Sequence, residues 1–174
     1  LLDGCTLGLI GFGRIAQGTA ARARGLGMRI LYFSRSPAAT EIEAALGASR
    51  VDTAEALMAE ADVVSLHIPG GRATHHFVDA VLLAKAKPGA ILVNTARGSV
   101  VDEAALVAAL AEGRIAAAGL DVYENEPTVS AALLASPRTV LLPHLGSATK
   151  GAREAMGMQA VDNLDAFFAG RALP

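Results

Sequence analysis

The chain has 174 residues and a formal net charge of −2, with 52% hydrophobic and 18% charged side chains and no tryptophan. This suits one domain with a substantial buried core and excludes an intrinsically disordered chain. The charge balance gives no reason to expect nucleic acid, and no apolar run reaches the roughly 20 residues that span a bilayer.

The sequence starts at Leu1 rather than Met and reaches a strand almost at once, as expected for a piece of a longer protein. Cys5, the single cysteine, allows no internal disulfide and reads as a small core residue at a strand start. No signal-peptide pattern is visible, which points to a cytoplasmic protein. The first apolar run is "TLGLI" (6–10), followed by a helical pattern over about 14–26. Then come "RILYF" (29–33), a helix near 53–60 in which Asp52 and Glu55 resemble a capping box, and "DVVSL" (62–66). A helix near 79–86, "AILVN" (90–94), a helix over 102–111 capped by Asp102, "AAAGLDV" (116–122) and "TVLLP" (139–143) follow. A last helix is expected from near Ser147 to about Phe168. Such near-continuous apolar strands suit a parallel sheet covered on both faces, and their alternation with helices predicts a doubly wound α/β domain. Residues 124–137 form the longest irregular stretch, and long loops of this kind are often functional.

"GLIGFGRIAQG" places Gly11, Gly13 and Ala16 in a G-x-G-x-x-A pattern between the first strand and the first helix. The first glycine permits a tight turn, the second lets the backbone approach a pyrophosphate, and the third position needs a small residue for packing. The helix start then offers free N–H groups and a positive dipole end to the phosphates. Gly11, Phe12, Gly13, Arg14 and Ile15 are therefore expected to bind a dinucleotide. An NAD site places an acid about 20 residues further on, where it binds the adenosine ribose. This chain has Ser34, Arg35 and Ser36 there instead. An acid repels the 2′-phosphate of NADP, whereas these side chains donate to it, Arg35 with charge-assisted bonds. The stretch predicts NADP(H) over NAD(H), which stays possible; the ordinary alternative is a solvated arginine on a loop.

Arg97, Glu126 and His144 all follow predicted strand ends, where open α/β sheets bind ligands. Arg97 suits an anionic substrate and a polarised carbonyl, and His144 suits proton donation to a developing alkoxide. Glu126 suits orienting His144 and favouring its charged form. Each also fits an ordinary role: a surface ion-pair partner, a solvated loop carboxylate, a structural histidine. Spacing alone does not bring the three together.

The stretches "LGLIGFGRIAQG", "HIPGGRATHHF", "ILVNTARGSVVDEAAL", "GLDVYENEP" and "LLPHLGSAT" occur in one order along the chain. Together they make it resemble the cofactor-binding domain, of Rossmann type, of the D-isomer-specific 2-hydroxyacid dehydrogenases. The resemblance implies that Arg97, Glu126 and His144 are catalytic and that Asp121 holds the nicotinamide carboxamide. It implies that Thr95 and Ala96 border the ring, that His67, Ile68, Pro69 and Thr74 lie along the adenosine and phosphate side, and that His144 and Gly146 complete the cofactor site. It further implies a homodimer formed through this domain, a small 2-keto or 2-hydroxy acid as substrate, and a second domain absent from residues 1–174. The "SRS" stretch is similar to that of NADP-preferring glyoxylate and hydroxypyruvate reductases. A phosphoglycerate dehydrogenase-like enzyme and a non-catalytic dinucleotide sensor of the corepressor type are the alternatives. A formate enzyme is disfavoured by Glu126, where that branch carries Gln. Gly70 and Gly71 stand where relatives usually carry Leu-Thr, so that loop is expected to be more flexible.

His75 and His76 have no Cys or third His near them in sequence, and no metal is expected. Met156, Met158, Leu164, Phe167 and Phe168 are expected to form the core-packed face of the last helix, with part of that face open to a subunit contact.

Overall fold

Every expected strand forms, and all pair in parallel. The computed structural model describes residues 1–173. Strands β1 (Thr6–Ile10), β2 (Arg29–Phe33), β3 (Ala48–Arg50), β4 (Val63–Leu66), β5 (Ile91–Asn94), β6 (Ala117–Leu120) and β7 (Thr139–Leu141) form one sheet in the order β3-β2-β1-β4-β5-β6-β7. Helices α1 (Arg14–Gly25), α2 (Thr40–Leu46), α3 (Ala54–Glu60), α4 (Ala80–Leu83), α5 (Glu103–Ala111) and α6 (Ala131–Ala135) connect the strands, and α7 (Lys150–Phe168) follows β7. Two compact units result, Leu1–Leu142 and a second that begins at Pro143. Among the described residues, no helix is long and apolar enough to cross a membrane.

β1 is buried along its whole length, as expected of a central strand covered on both faces. At Gly8 a Cβ would lie 2.6 Å from Leu57 Cδ2, so α3 rests directly on the backbone of β1. Leu57, Met58, Leu66, Leu83, Leu92 and Leu106 are fully enclosed in that core; burying each such side chain contributes roughly 1.5–3 kcal/mol. At the opposite end of the sheet, Asp62 accepts from the Thr6 N–H (2.8 Å) and from Lys87 Nζ (2.6 Å). The Lys87 hydrogen bond, then that of Thr6, hold its carboxyl below the usual carboxylate range.

Several local expectations need correction. The α3 cap is Thr53, whose hydroxyl accepts from the Ala56 N–H (3.1 Å), and not an Asp52–Glu55 box. Asp52 instead lies 3.7 Å from Arg50. The last helix starts at Lys150 with Thr149 as its cap. α4 is shorter than the expected 79–86, and α6 interrupts the stretch expected to be irregular. α2 and β3 were not foreseen: α2 buries no residue and β3 is three residues long, so neither carries a hydrophobic period. In the second unit Met156, Met158, Leu164, Phe167 and Phe168 are exposed, not core-packed. At 100° per residue these positions spread over roughly 200° of the helix circumference, too wide for one buried stripe.

Candidate cofactor and active site

The sheet order puts β1 between β2 and β4, and the connections that follow β1 and β4 run in opposite directions from this point. Crevices outside the carboxyl ends of strands form at such reversals. Here the loops after β1, β2 and β4 line a cavity of about 760 Å³. Gly11, Phe12 and Gly13 contribute to it from the β1–α1 turn. Gly11 has φ +94°, and a Cβ there would lie 2.6 Å from the His67 carbonyl oxygen, so geometry and contact both require glycine. Gly13 is different, because a Cβ there would meet nothing within 4 Å. The fold does not demand a glycine at 13, whereas a ligand backed against the helix start does. Ala16 is buried against the core, as the third position of the pattern requires. No acidic residue occupies the first turn of α1 and no side chain caps it, which leaves its positive end available to phosphates.

The loop after β2 is held by a buried tyrosine. Tyr32 stacks on Phe12 with ring centroids 3.9 Å apart. Its hydroxyl donates to Glu43 Oε1 (2.6 Å) and accepts from the Ala38 N–H (2.8 Å). Burial, then the Glu43 hydrogen bond, raise the Tyr32 pKa. Arg50 Nη2 donates to the Ser34 carbonyl (3.2 Å), and Ser34 Oγ donates to that of Ser36 (2.5 Å). Ser34, Arg35 and Ser36 line the cavity. Its lining contains no Asp or Glu.

His67, Ile68, Pro69 and Thr74 form the wall after β4. His67 Nε2 lies 3.0 Å from Ser65 Oγ, and burial holds its pKa below the ordinary value of 6.5, so the ring is neutral at neutral pH. The unfolded chain takes up this proton near the ordinary value and the folded chain does not. The stability from neutral His67 is therefore complete above about pH 6.5 and declines as pH falls below it. Thermal melts between about pH 7.5 and 5 should show Tm decreasing with acid, and His67→Gln should reduce that slope. An unchanged slope would exclude His67 as its source.

The ends of β5 and β6 carry the second group of expected residues. Buried Asn94 uses both ends of its amide on the following turn: Nδ2 donates to the Arg97 carbonyl (2.9 Å) and Oδ1 accepts from the Ala96 N–H (3.0 Å). Arg97 is thereby presented at the surface, its Nη1 donating to the Ala96 carbonyl (2.6 Å). A Cβ on Gly98 would lie 1.9 Å from the Tyr123 carbonyl group, so this turn and the β6 loop touch backbone to backbone. In that loop Glu126 Oε1 accepts from the Tyr123 N–H (2.9 Å), and Glu103 Oε1 accepts from the Glu124 N–H (2.6 Å). Arg97 and Glu126 thus sit on two loops braced against each other at the carboxyl end of the sheet. Asp121 is buried at the end of β6, and its N–H donates to the Asn94 carbonyl (3.0 Å). His76, with φ 51°, lies 2.5 Å from Glu124 Oε1, and His75 stacks on it at 3.9 Å. His75, His76 and Glu124 therefore bring three potential ligand atoms within 4.8 Å of one another. Glu124, distant in sequence, is the neighbour that spacing missed. In the second unit His144 is exposed and holds a left-handed backbone, φ 55°, which is costly outside glycine and tends to mark functional positions.

Ten of the expected cofactor residues line the one cavity: Gly11, Phe12, Gly13, Ser34, Arg35, Ser36, His67, Ile68, Pro69 and Thr74. Arg14, Ile15, Thr95, Ala96, Arg97, Asp121, His144 and Gly146 are not in its wall. Sequence reasoning missed Gln17, Ile42, Arg72 and Phe77, which are. Gln17 follows the glycine pattern by one helical turn, the signal most open to detection.

Residues 1–146 match the model of the D-isomer specific 2-hydroxyacid dehydrogenase, NAD binding domain. The chain belongs to this family. It is 49% identical to a glyoxylate reductase of Thermococcus litoralis over 99% of its own length and 52% of the relative. It superposes on Rhodotorula graminis D-mandelate dehydrogenase with a TM-score of 0.95 at 40% identity, covering 98% of this chain and 50% of that one. An NADPH-dependent glyoxylate/hydroxypyruvate reductase of Sinorhizobium meliloti gives a TM-score of 0.91 at 43% identity, covering 99% and 53%. The chain spans about half the length of the curated relatives it matches. Its seven-stranded parallel sheet is the family's Rossmann-type NAD-binding domain.

Proposed function

We propose that residues 1–174 are the dinucleotide-binding domain of a longer two-domain enzyme that reduces small 2-keto acids, such as glyoxylate or hydroxypyruvate, with NADPH, or oxidises the corresponding 2-hydroxy acids. The observation that carries the cofactor preference is the cavity beside the glycine turn. Arg35 stands where an NAD site has its acid, and no carboxylate lines the wall. The names of the relatives, glyoxylate reductases and an NADPH-dependent glyoxylate/hydroxypyruvate reductase, support the substrate class.

The cavity residues named above fit a phosphorylated dinucleotide, with Gly13 and the start of α1 for its pyrophosphate and Arg35 for its 2′-phosphate. When bound, the reduced cofactor supplies hydride to the keto carbon. Arg97, fixed by Asn94, holds the substrate carboxylate and polarises the carbonyl. His144 donates the proton that converts the developing alkoxide to the alcohol. Glu126 is the carboxylate of the catalytic set, and Asp121, Thr95, Ala96 and Gly146 serve the nicotinamide end. A homodimer in the cytoplasm is the proposed setting, and the exposed apolar side chains of α7 support an interface.

The full-length protein should consume NADPH on addition of glyoxylate or hydroxypyruvate. The 174-residue chain should bind NADPH yet turn over poorly, because substrate positioning and exclusion of water need the second domain. Cofactor binding by the full-length protein without turnover of any 2-keto acid would favour the sensor reading.

A further inference from the structure

Arg72, within the stretch "HIPGGRATHHF", is not among the expected cofactor residues, yet it lines the same cavity as Arg35. β2 and β4 lie on either side of β1, so the loops that follow them wall the cavity on its two sides, with the Gly11 turn between. Arg35 comes from one wall and Arg72 from the other. Neither guanidinium has a hydrogen bond or ion pair among the described residues, whereas Arg29, Arg50 and Arg114 each have a carboxylate. Arginine stays charged at all ordinary pH, and the lining supplies no acid to neutralise either group.

The Arg72 loop is an arch with a fixed base and an adjustable tip. Thr74 Oγ1 donates to the Pro69 carbonyl (2.6 Å) and the Thr74 N–H to that of Gly71 (3.1 Å). Gly71 has φ +130° with nothing within 4 Å of a Cβ, so its backbone has room to turn. Gly70 is packed instead: a Cβ there would lie 3.0 Å from Arg97 Cγ. One short loop therefore carries Arg72 at its tip and touches Arg97 at its base.

We infer that Arg72 is a second specificity-determining residue, which together with Arg35 binds the adenosine 2′-phosphomonoester from the opposite wall of the cavity. This rests on the NADP(H) reading. Two guanidinium groups on one dianionic phosphate share its charge, so their contributions are coupled and loss of either removes part of the other's. Rotation at Gly71 lets Arg72 adjust to a bound phosphate, while Gly70 keeps the same loop packed on Arg97.

The test is to titrate the full-length protein and its Arg72→Ala, Arg35→Ala and doubly substituted variants with NADPH, NADH and adenosine 2′,5′-bisphosphate. Arg72→Ala should weaken NADPH and the bisphosphate by about tenfold and change NADH by less than about twofold. The double variant should lose less than the product of the single losses, and Arg72→Lys should recover part of the affinity. If the wild type binds NADPH no better than NADH, the NADP(H) reading itself fails. If the wild type and Arg35→Ala behave as expected but Arg72→Ala weakens both cofactors equally, or neither, Arg72 is overturned alone.

Discussion

Replacing His144 by alanine in the full-length enzyme is expected to lower keto-acid reduction by about 10²–10⁴-fold, the usual contribution of a positioned general acid. Hydride addition to a carbonyl leaves an oxygen that must gain a proton, and an imidazolium is the side chain best matched to supply one near neutral pH. His144 follows β7 within the run "LLPHLGSAT" and keeps a left-handed backbone that a β-carbon makes costly. Because the loss concerns the proton and not the dinucleotide, kcat should fall while NADPH affinity moves little. Stopped-flow turnover with parallel cofactor titration checks both parts, and near-wild-type turnover would return His144 to a structural role.

Arg35→Ala is expected to weaken NADPH by about ten- to a hundredfold and NADH hardly at all. A hydrogen bond to a charged group contributes roughly 1.5–3 kcal/mol, and each 1.4 kcal/mol is tenfold in affinity. Arg35 is exposed and unpaired among the described residues, so nothing inside the protein is left unsatisfied when it is removed. Ser34→Asp should shift preference further, because a carboxylate repels the 2′-phosphate and accepts from the ribose hydroxyls of NADH. Equal weakening of both cofactors by Arg35→Ala would make it a general anion attractor and not a reader of the phosphate.

Much of this architecture was legible because its signals are local and repeated. The apolar runs of β1, β2, β4 and β5 sit within a residue of their expected bounds, since strands buried on both faces leave no polar positions to blur the pattern. The glycine pattern placed the cavity, and the geometry at Gly11 and Gly13 supplies separate reasons for the two glycines. α2 and β3 escaped because so short an edge pair buries almost nothing. The pairing of His76 with Glu124 escaped because the two are 48 positions apart and meet only through tertiary packing. Arg72 escaped because a lone arginine between a glycine pair and an alanine has no periodic signature, and its place across the cavity from Arg35 emerges only from the fold. The apolar side chains of the last helix are too widely spread around it to form the one buried face that their number suggests.

The most direct measurement is calorimetric titration of the 174-residue chain with NADPH and with NADH under the same buffer and salt. NADPH should bind at least about tenfold more tightly, since the cavity offers the 2′-phosphate unpaired cationic side chains and no opposing carboxylate. Equal affinity, tighter NADH binding, or no binding of either cofactor would contradict it.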